Sequence, residues 1–273
     1  MENFGLIISV IGFAFMGTML GLLGAGGSIL SVPLLIYVIG LTPVVATSYS
    51  LVIVAFCAAV ALLTYLKAGL VDFKVAAVFA PLTVAGVWFA RKILLPAVPD
   101  SIALLGTSVS KDVVILTVFG LVMLRAAWVM LVPKTKNKSP ILQKNRTLLF
   151  IITGVRGLFL GVLTGFVGAG GGFMLVPAIH QWFRLPMDRA IGTSLVVIVT
   201  NASLGAIFSI HHFELPMFWK LSGLLLAATA GIYLGGTVLR KKIDPKSLRP
   251  VFGWMIVIIA VYVLYDGISK ILR

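Results

Sequence analysis

GTMLGLLGAGGSILSVPLL (residues 17–35) and GVLTGFVGAGGGFMLVPAI (residues 161–179) align without a gap at a spacing of 144 residues. In each, an apolar run is interrupted by Gly-Ala-Gly-Gly. It resumes toward a proline, Pro33 or Pro177, six positions after the last shared glycine. The register persists into ATSYSLV (46–52) and AIGTSLV (190–196), which share Ala46/Ala190, Ser50/Ser194, Leu51/Leu195 and Val52/Val196. Further on, GVWFARK from Gly86 echoes GIYLGGTVLRK from Gly231. Apolar bias alone does not place a shared GAGG and proline at fixed spacing, so the chain is built from two homologous halves.

The solvent of those halves follows from composition. Sixty per cent of the 273 residues are apolar and 11% are charged, against about 25% charged in a soluble domain. Continuous apolar segments fall near 4–23, 28–39, 44–66, 73–90 and 112–132, then 148–167, 173–183, 190–210, 217–238 and 251–270. About 20 apolar residues cross a hydrocarbon core, and in lipid a helix satisfies its own backbone hydrogen bonds. The fold class is therefore an all-α polytopic membrane protein of about eight full membrane helices plus two short half-helices. Residues 1–132 form the first repeat, 133–147 a basic cytoplasmic linker and 148–273 the second repeat. The pieces at 28–39 and 173–183 are too short to span. Each makes either one broken crossing with the preceding helix or a re-entrant hairpin.

The formal charge of +14 sits mostly between apolar runs, where Lys and Arg orient helices; no basic domain stands apart as a nucleic-acid surface would. The linker carries Lys134, Lys136, Lys138, Lys144 and Arg146, and the 240–249 loop Arg240, Lys241, Lys242, Lys246 and Arg249. Hairpins place both loops on the cytoplasmic face and make the second half inverted relative to the first, with both termini outside. The loop 91–111, with Arg91, Lys92 and Lys111, then falls outside against the trend. The start of the chain lacks a basic n-region and is expected to remain as the first helix. The lone Cys57 lies within an apolar run.

Gly24, Ala25, Gly26, Gly27 and Ser28 in one half, and Gly168, Ala169, Gly170, Gly171 and Gly172 in the other, mark the breaks. Non-helical backbone at membrane depth is tolerated when buried in protein or lining a cavity. The short helix after each break offers free N–H groups and a positive dipole end, a backbone anion site. The competing role is close packing, which fits the GxxxG pairs Gly17/Gly21, Gly161/Gly165 and Gly231/Gly235. Hydroxyls and amides follow in the next helices: Thr47, Ser48 and Ser50 in the first half, Thr193, Ser194, Thr200 and Asn201 in the second, with Ser50 and Ser194 matched between halves. They either donate to an anion or bond their own helix carbonyls. Arg156, aligned with Gly12, is an intramembrane charge and so a functional candidate, or it snorkels to headgroups. His180, aligned with Ile36, binds substrate, carries a proton or caps a helix.

No GxxxxGK[ST], HExxH, CxxC pair or GxSxG occurs, so no ATP hydrolysis by a P-loop and no familiar hydrolytic or metal chemistry is expected. The expectation is no enzyme, no cofactor and no metal. The eight acidic residues fall at expected loops or helix ends, which leaves no obvious coupling carboxylate. Internal repeats are a mark of secondary transporters, with the substrate site where the repeats meet.

The two stretches GLLGAGGSILSVP with ATSYS, and GFVGAGGGFMLVP with AIGTS, resemble the sulfite exporter TauE/SafE family of bacterial membrane transporters over nearly the whole length. The resemblance implies a multi-pass inner-membrane protein exporting sulfite, a sulfonate such as sulfoacetate, or a related small anion. Alternating access is the leading mechanism, a gated anion channel or a non-transporting membrane subunit the alternatives. The partners expected are the anion and the bilayer, with a homo-oligomer left open.

Overall fold

The computed structural model describes every residue except 1, 25, 100, 105–106, 133–145, 214, 240–244 and 273. Ala25, most of the 133–147 linker and the core of the 240–249 loop thus lie outside the described residues. Among the described residues ten helices follow in chain order: α1 (Glu2–Leu23), α2 (Gly26–Val38), α3 (Pro43–Lys67), α4 (Phe73–Ala97), α5 (Lys111–Leu131), α6 (Arg146–Val167), α7 (Gly172–Trp182), α8 (Met187–Phe208), α9 (Leu215–Tyr233) and α10 (Pro245–Leu272). Six segments among the described residues are long and apolar enough to cross a membrane. They are Pro43–Lys67, Phe73–Ala97, Lys111–Leu131, Met187–Phe208, Leu221–Leu239 and Pro250–Lys270. Helices α1 and α6 are each 22 residues long, with Ile7–Leu23 and Ile152–Val167 as apolar stretches within them.

Both breaks fold as helix terminators. Gly24 (φ +86°) follows the last residue of α1, and Gly168 (φ +76°) follows the last residue of α6. A left-handed glycine at that position closes a helix without the Cβ clash other residues meet. The Gly168 N–H donates to the Thr164 carbonyl at 3.0 Å, completing the cap.

The chain then doubles back. Gly27 packs on the Met16 carbonyl and Leu20, while Leu34, seven residues on, reaches Gly12. In the second half Gly171 meets Thr164, and Trp182 lies against Arg156. Contacts that climb one helix while descending the other are those of a hairpin, so each short helix returns along the helix before it. Residues of α2 pass from a 3-10 turn through Pro33 into a π-helical stretch, Leu34–Val38. The proline lacks the donor that would continue regular α geometry.

Glycines also set how the halves meet. Gly17 and Gly21 of α1 abut Ala228 and Ile232 of α9, and Gly161 and Gly165 of α6 abut Thr83 and Val87 of α4. These are the same contact with the halves exchanged, and the small-residue faces let backbones approach closely. Both pairs run parallel. By contrast, α3 packs on its own counterpart α8 with Gly192 near Tyr65 and Gly205 near Leu51, an antiparallel arrangement. The last helices, α5 and α10, are likewise antiparallel, with Gly120 at Leu264 and Gly253 at Leu131.

The 91–111 segment differs from its sequence reading as a loop. Helix α4 runs on through a π-helical turn, Ala90–Leu94, as far as Ala97, and α9 carries the matching stretch, Leu234–Leu239. A short antiparallel hairpin follows: β1 (Ser101–Leu104) pairs with β2 (Thr107–Ser110), Ser101 opposite Ser110. The charges Arg91 and Lys92 suggest a helix end. The helix instead turns Lys92 outward and carries Arg91 inside.

Candidate functional site

The second break lies where α3, α4 and α8 converge. Gly168 presses on the Thr47 backbone, and Gly170 sits between Val54 of α3 and Ile198 of α8. Ser50 donates to the Gly168 carbonyl at 2.9 Å. Its oxygen also lies 2.5 Å from Ser31 Oγ on α2, whose single proton serves either Ser50 Oγ or the Ser28 carbonyl at 2.6 Å. All these groups are buried. A line of hydroxyls therefore ties the residue after the first break to the second break, and the opening turn of α2 packs against α7.

Around this centre stand two donors whose surroundings do not satisfy them. Arg91 is only 4% exposed. Its Nη1 donates to Ser48 Oγ at 3.2 Å and Thr47 Oγ1 at 3.4 Å, and its Nη2 to the Thr47 carbonyl at 3.2 Å. Its Nε is buried with no partner, and among the described residues no carboxylate pairs with it. Asn201, one turn beyond Ile198 on α8, accepts a hydrogen bond from Thr83 Oγ1 at 3.0 Å through its Oδ1. Its Nδ2 is buried and unpartnered. A buried donor left without an acceptor costs about 1–3 kcal/mol, more when charged, and such exceptions call for a reason.

The chemistry is one-sided. Corresponding positions around the first break are apolar or small: Ile191 for Thr47, Gly192 for Ser48, Ala228 for Thr83, Gly236 for Arg91 and Cys57 for Asn201. Gly24 accordingly packs on the Ile191 side chain where Gly168 meets Thr47.

The remaining residues singled out from sequence are placed as follows. Gly24, Gly26, Gly27 and Ser28 are buried at the first break; Gly168, Ala169, Gly170, Gly171 and Gly172 are buried at the second. Most would clash with an added side chain, so the breaks are tightly closed in this conformation; Gly26 is the roomiest, facing Phe252 and Met130 at 3.3 and 3.4 Å. Ser50 and Asn201 stand at the second break. Ser194 donates to the Ile191 carbonyl of its own helix, and Thr193 accepts from the Asp72 N–H in the turn before α4. Arg156 and His180 stand apart from the breaks. Arg156 is exposed, its guanidinium 5.3 Å from the Trp182 ring centre. His180 is exposed, with Nδ1 2.7 Å from the Leu185 carbonyl.

Sequence reasoning passed over Arg91. Its signal is the buried stripe Ala76, Phe79, Thr83, Val87, whose three- and four-residue spacing continues to position 91.

Residues 8–263 match the family described as Sulfite exporter TauE/SafE. A probable membrane transporter protein of Xylella fastidiosa (strain Temecula1) is 31% identical over 271 residues, covering 95% of each chain. The probable membrane transporter protein YunE of Bacillus subtilis (strain 168) is 25% identical over 281 residues, covering 92% of this chain and 94% of that one. No solved structure gives a significant match. A family match across nearly the whole chain, joined to apolar helices of spanning length, settles the class: the chain belongs to the sulfite exporter TauE/SafE family and is a multi-pass membrane transporter of the bacterial inner membrane, not an enzyme.

Proposed function

We propose that this transporter exports a small oxyanion, sulfite or an organosulfonate such as sulfoacetate, by alternating access, and that the anion binds at the second glycine break. The observation that carries the reading is Arg91, a buried cation with a free Nε and no carboxylate partner among the described residues. An uncompensated buried charge is costly, and an anion is the partner that removes the cost. Asn201 Nδ2 supplies a second waiting donor, and the hydroxyls of Thr47 and Ser48 surround the guanidinium. The starts of α2 and α7 contribute their positive dipole ends. A guanidinium fork suits an oxyanion, because its donors match two oxygens at once.

In this reading eight helices cross and the two short ones are re-entrant. The halves are inverted about an axis in the membrane plane. Antiparallel packing of α3 on α8 and of α5 on α10 supports this, since an axis along the membrane normal would leave counterparts parallel. The tightly packed breaks are then a closed state, which opens toward either face as the halves shift.

Purified protein in proteoliposomes should move labelled sulfite across the bilayer, in competition with sulfoacetate. Absence of flux for every small oxyanion tested would overturn the transport reading. Unitary currents in a planar bilayer would replace alternating access with a channel.

A further inference from the structure

Two clefts occupy corresponding places in the two halves. One, of about 530 Å³, lies among α5, α6 and α7 and includes Arg125, Arg156 and Trp182 in its lining. The other, of about 380 Å³, lies among α10, α1 and α2. Most of its lining residues are the repeat counterparts of the first: Gly12 for Arg156, Val38 for Trp182, Ile258 in the place of Arg125. The fold therefore makes the groove twice and puts a pair of cations in only one of the two.

We propose that the arginine-bearing cleft binds an anionic phospholipid, with the headgroup phosphate on Arg125 and Arg156 and an acyl chain along the groove. The walls below the arginines are apolar, including Leu160, Leu163, Phe173 and Met174. The groove opens sideways on the outer face of the bundle, where Leu121 is 57% and Phe159 61% exposed. A hydrated small anion gains little from such walls, whereas an acyl chain matches them. Arg125 lies six residues, roughly 9 Å, from the end of α5. Arg156 lies ten residues, roughly 15 Å, from the start of α6, and its long side chain shortens the reach to the headgroups. No carboxylate pairs with either arginine among the described residues. Trp182 beneath the Arg156 guanidinium suits the interfacial belt.

The test is native mass spectrometry of the full chain from mixed phosphatidylcholine and phosphatidylglycerol nanodiscs. The wild type should retain phosphatidylglycerol over phosphatidylcholine. Arg125→Gln with Arg156→Gln should lower that preference at least about tenfold, the scale of one lost charge-assisted hydrogen bond to the headgroup. Lys67→Gln with Arg189→Gln, which removes the same charge from exposed positions at the same end of the bundle, should not. Ala126→Phe keeps both arginines but fills the groove, and should also lose the lipid. Equal losses in the two charge variants, or wild-type retention in the arginine pair or in Ala126→Phe, would overturn the proposal. Displacement of the lipid by inorganic phosphate at millimolar concentration would assign the arginines to a free anion instead.

Discussion

Replacing Arg91 by methionine separates a ligand from a structural strut. The substitution keeps the unbranched length of the side chain and removes its charge. Structurally little is orphaned, because the hydroxyls of Thr47 and Ser48 already donate to the Val44 carbonyl at 2.9 and 3.1 Å. Exchanging a buried charge for an apolar group of similar volume is often neutral or stabilising, so the melting temperature of Arg91→Met in detergent should equal or exceed that of the wild type. Function should move the other way. If the anion accepts from Nε, losing that one charge-assisted hydrogen bond costs about 1.5–3 kcal/mol, equivalent to a rise of roughly tenfold to a hundredfold in apparent KM. Loss of the contribution from Nη1 and Nη2 adds to this. Arg91→Lys keeps the charge without the planar fork and should fall between. The assay is initial sulfite flux into proteoliposomes at matched protein content, read beside the melting curve. Wild-type KM and maximal rate in Arg91→Met would refute the site. A flux loss that merely follows a lower melting temperature would make Arg91 a strut.

The other predictions test the surroundings. Asn201→Leu removes an unsatisfied buried amide along with the bond to Thr83; it should leave the melting temperature within a few degrees and lower sulfite flux about tenfold or more, the scale of a lost donor to a charged ligand. Gly170→Ala forces a side chain into a φ of +64° beside Val54, which costs about 1–2 kcal/mol in backbone strain alone, so both stability and flux should drop. Gly26→Ala meets only the flexible ends of Phe252 and Met130 and should alter neither greatly; flux abolished at a normal melting temperature would move the anion to the first break. For topology, single cysteines at Lys67 and Lys270 in a Cys57→Ser background should react with an impermeant thiol reagent from opposite faces, and labelling from one face would exclude the inverted arrangement.

How far the sequence reaches depends on whether a feature is periodic. The segments read at 44–66, 112–132 and 190–210 become α3, α5 and α8 with ends shifted by a few residues, because hydrophobic length is written into composition. The breaks were equally plain, since glycine clusters in apolar runs have few other uses. The turn direction at each break was not. A doubling back and a straight broken crossing need the same residues; the basic loops favour doubling back, and contacts such as Leu34 on Gly12 show it. Arg91 shows a different limit. Two adjacent cations after an apolar run signal a helix end, yet a π-helical turn carries one of them inward. A rule that counts charges in loops has no means of foreseeing which side of a helix a given charge takes.

Duplication explains why the candidate site is off-centre. Copying one half gives two breaks, two hairpins and two helix starts, all made by backbone and glycine and hence equivalent. Two identical half-sites facing each other would hold an anion with symmetric donors, but they would also set two buried cations close together, and like charges in a poorly screened interior repel strongly. The chain has a single buried arginine among the described residues, with Gly236 at the equivalent position. Thr47, Ser48 and Thr83 likewise face Ile191, Gly192 and Ala228 in the repeat. One half of the duplicated frame thus carries the buried polar groups, while the matching positions of the other are apolar or small. In the proposed mechanism the second break holds the anion and the first is the surface against which it moves.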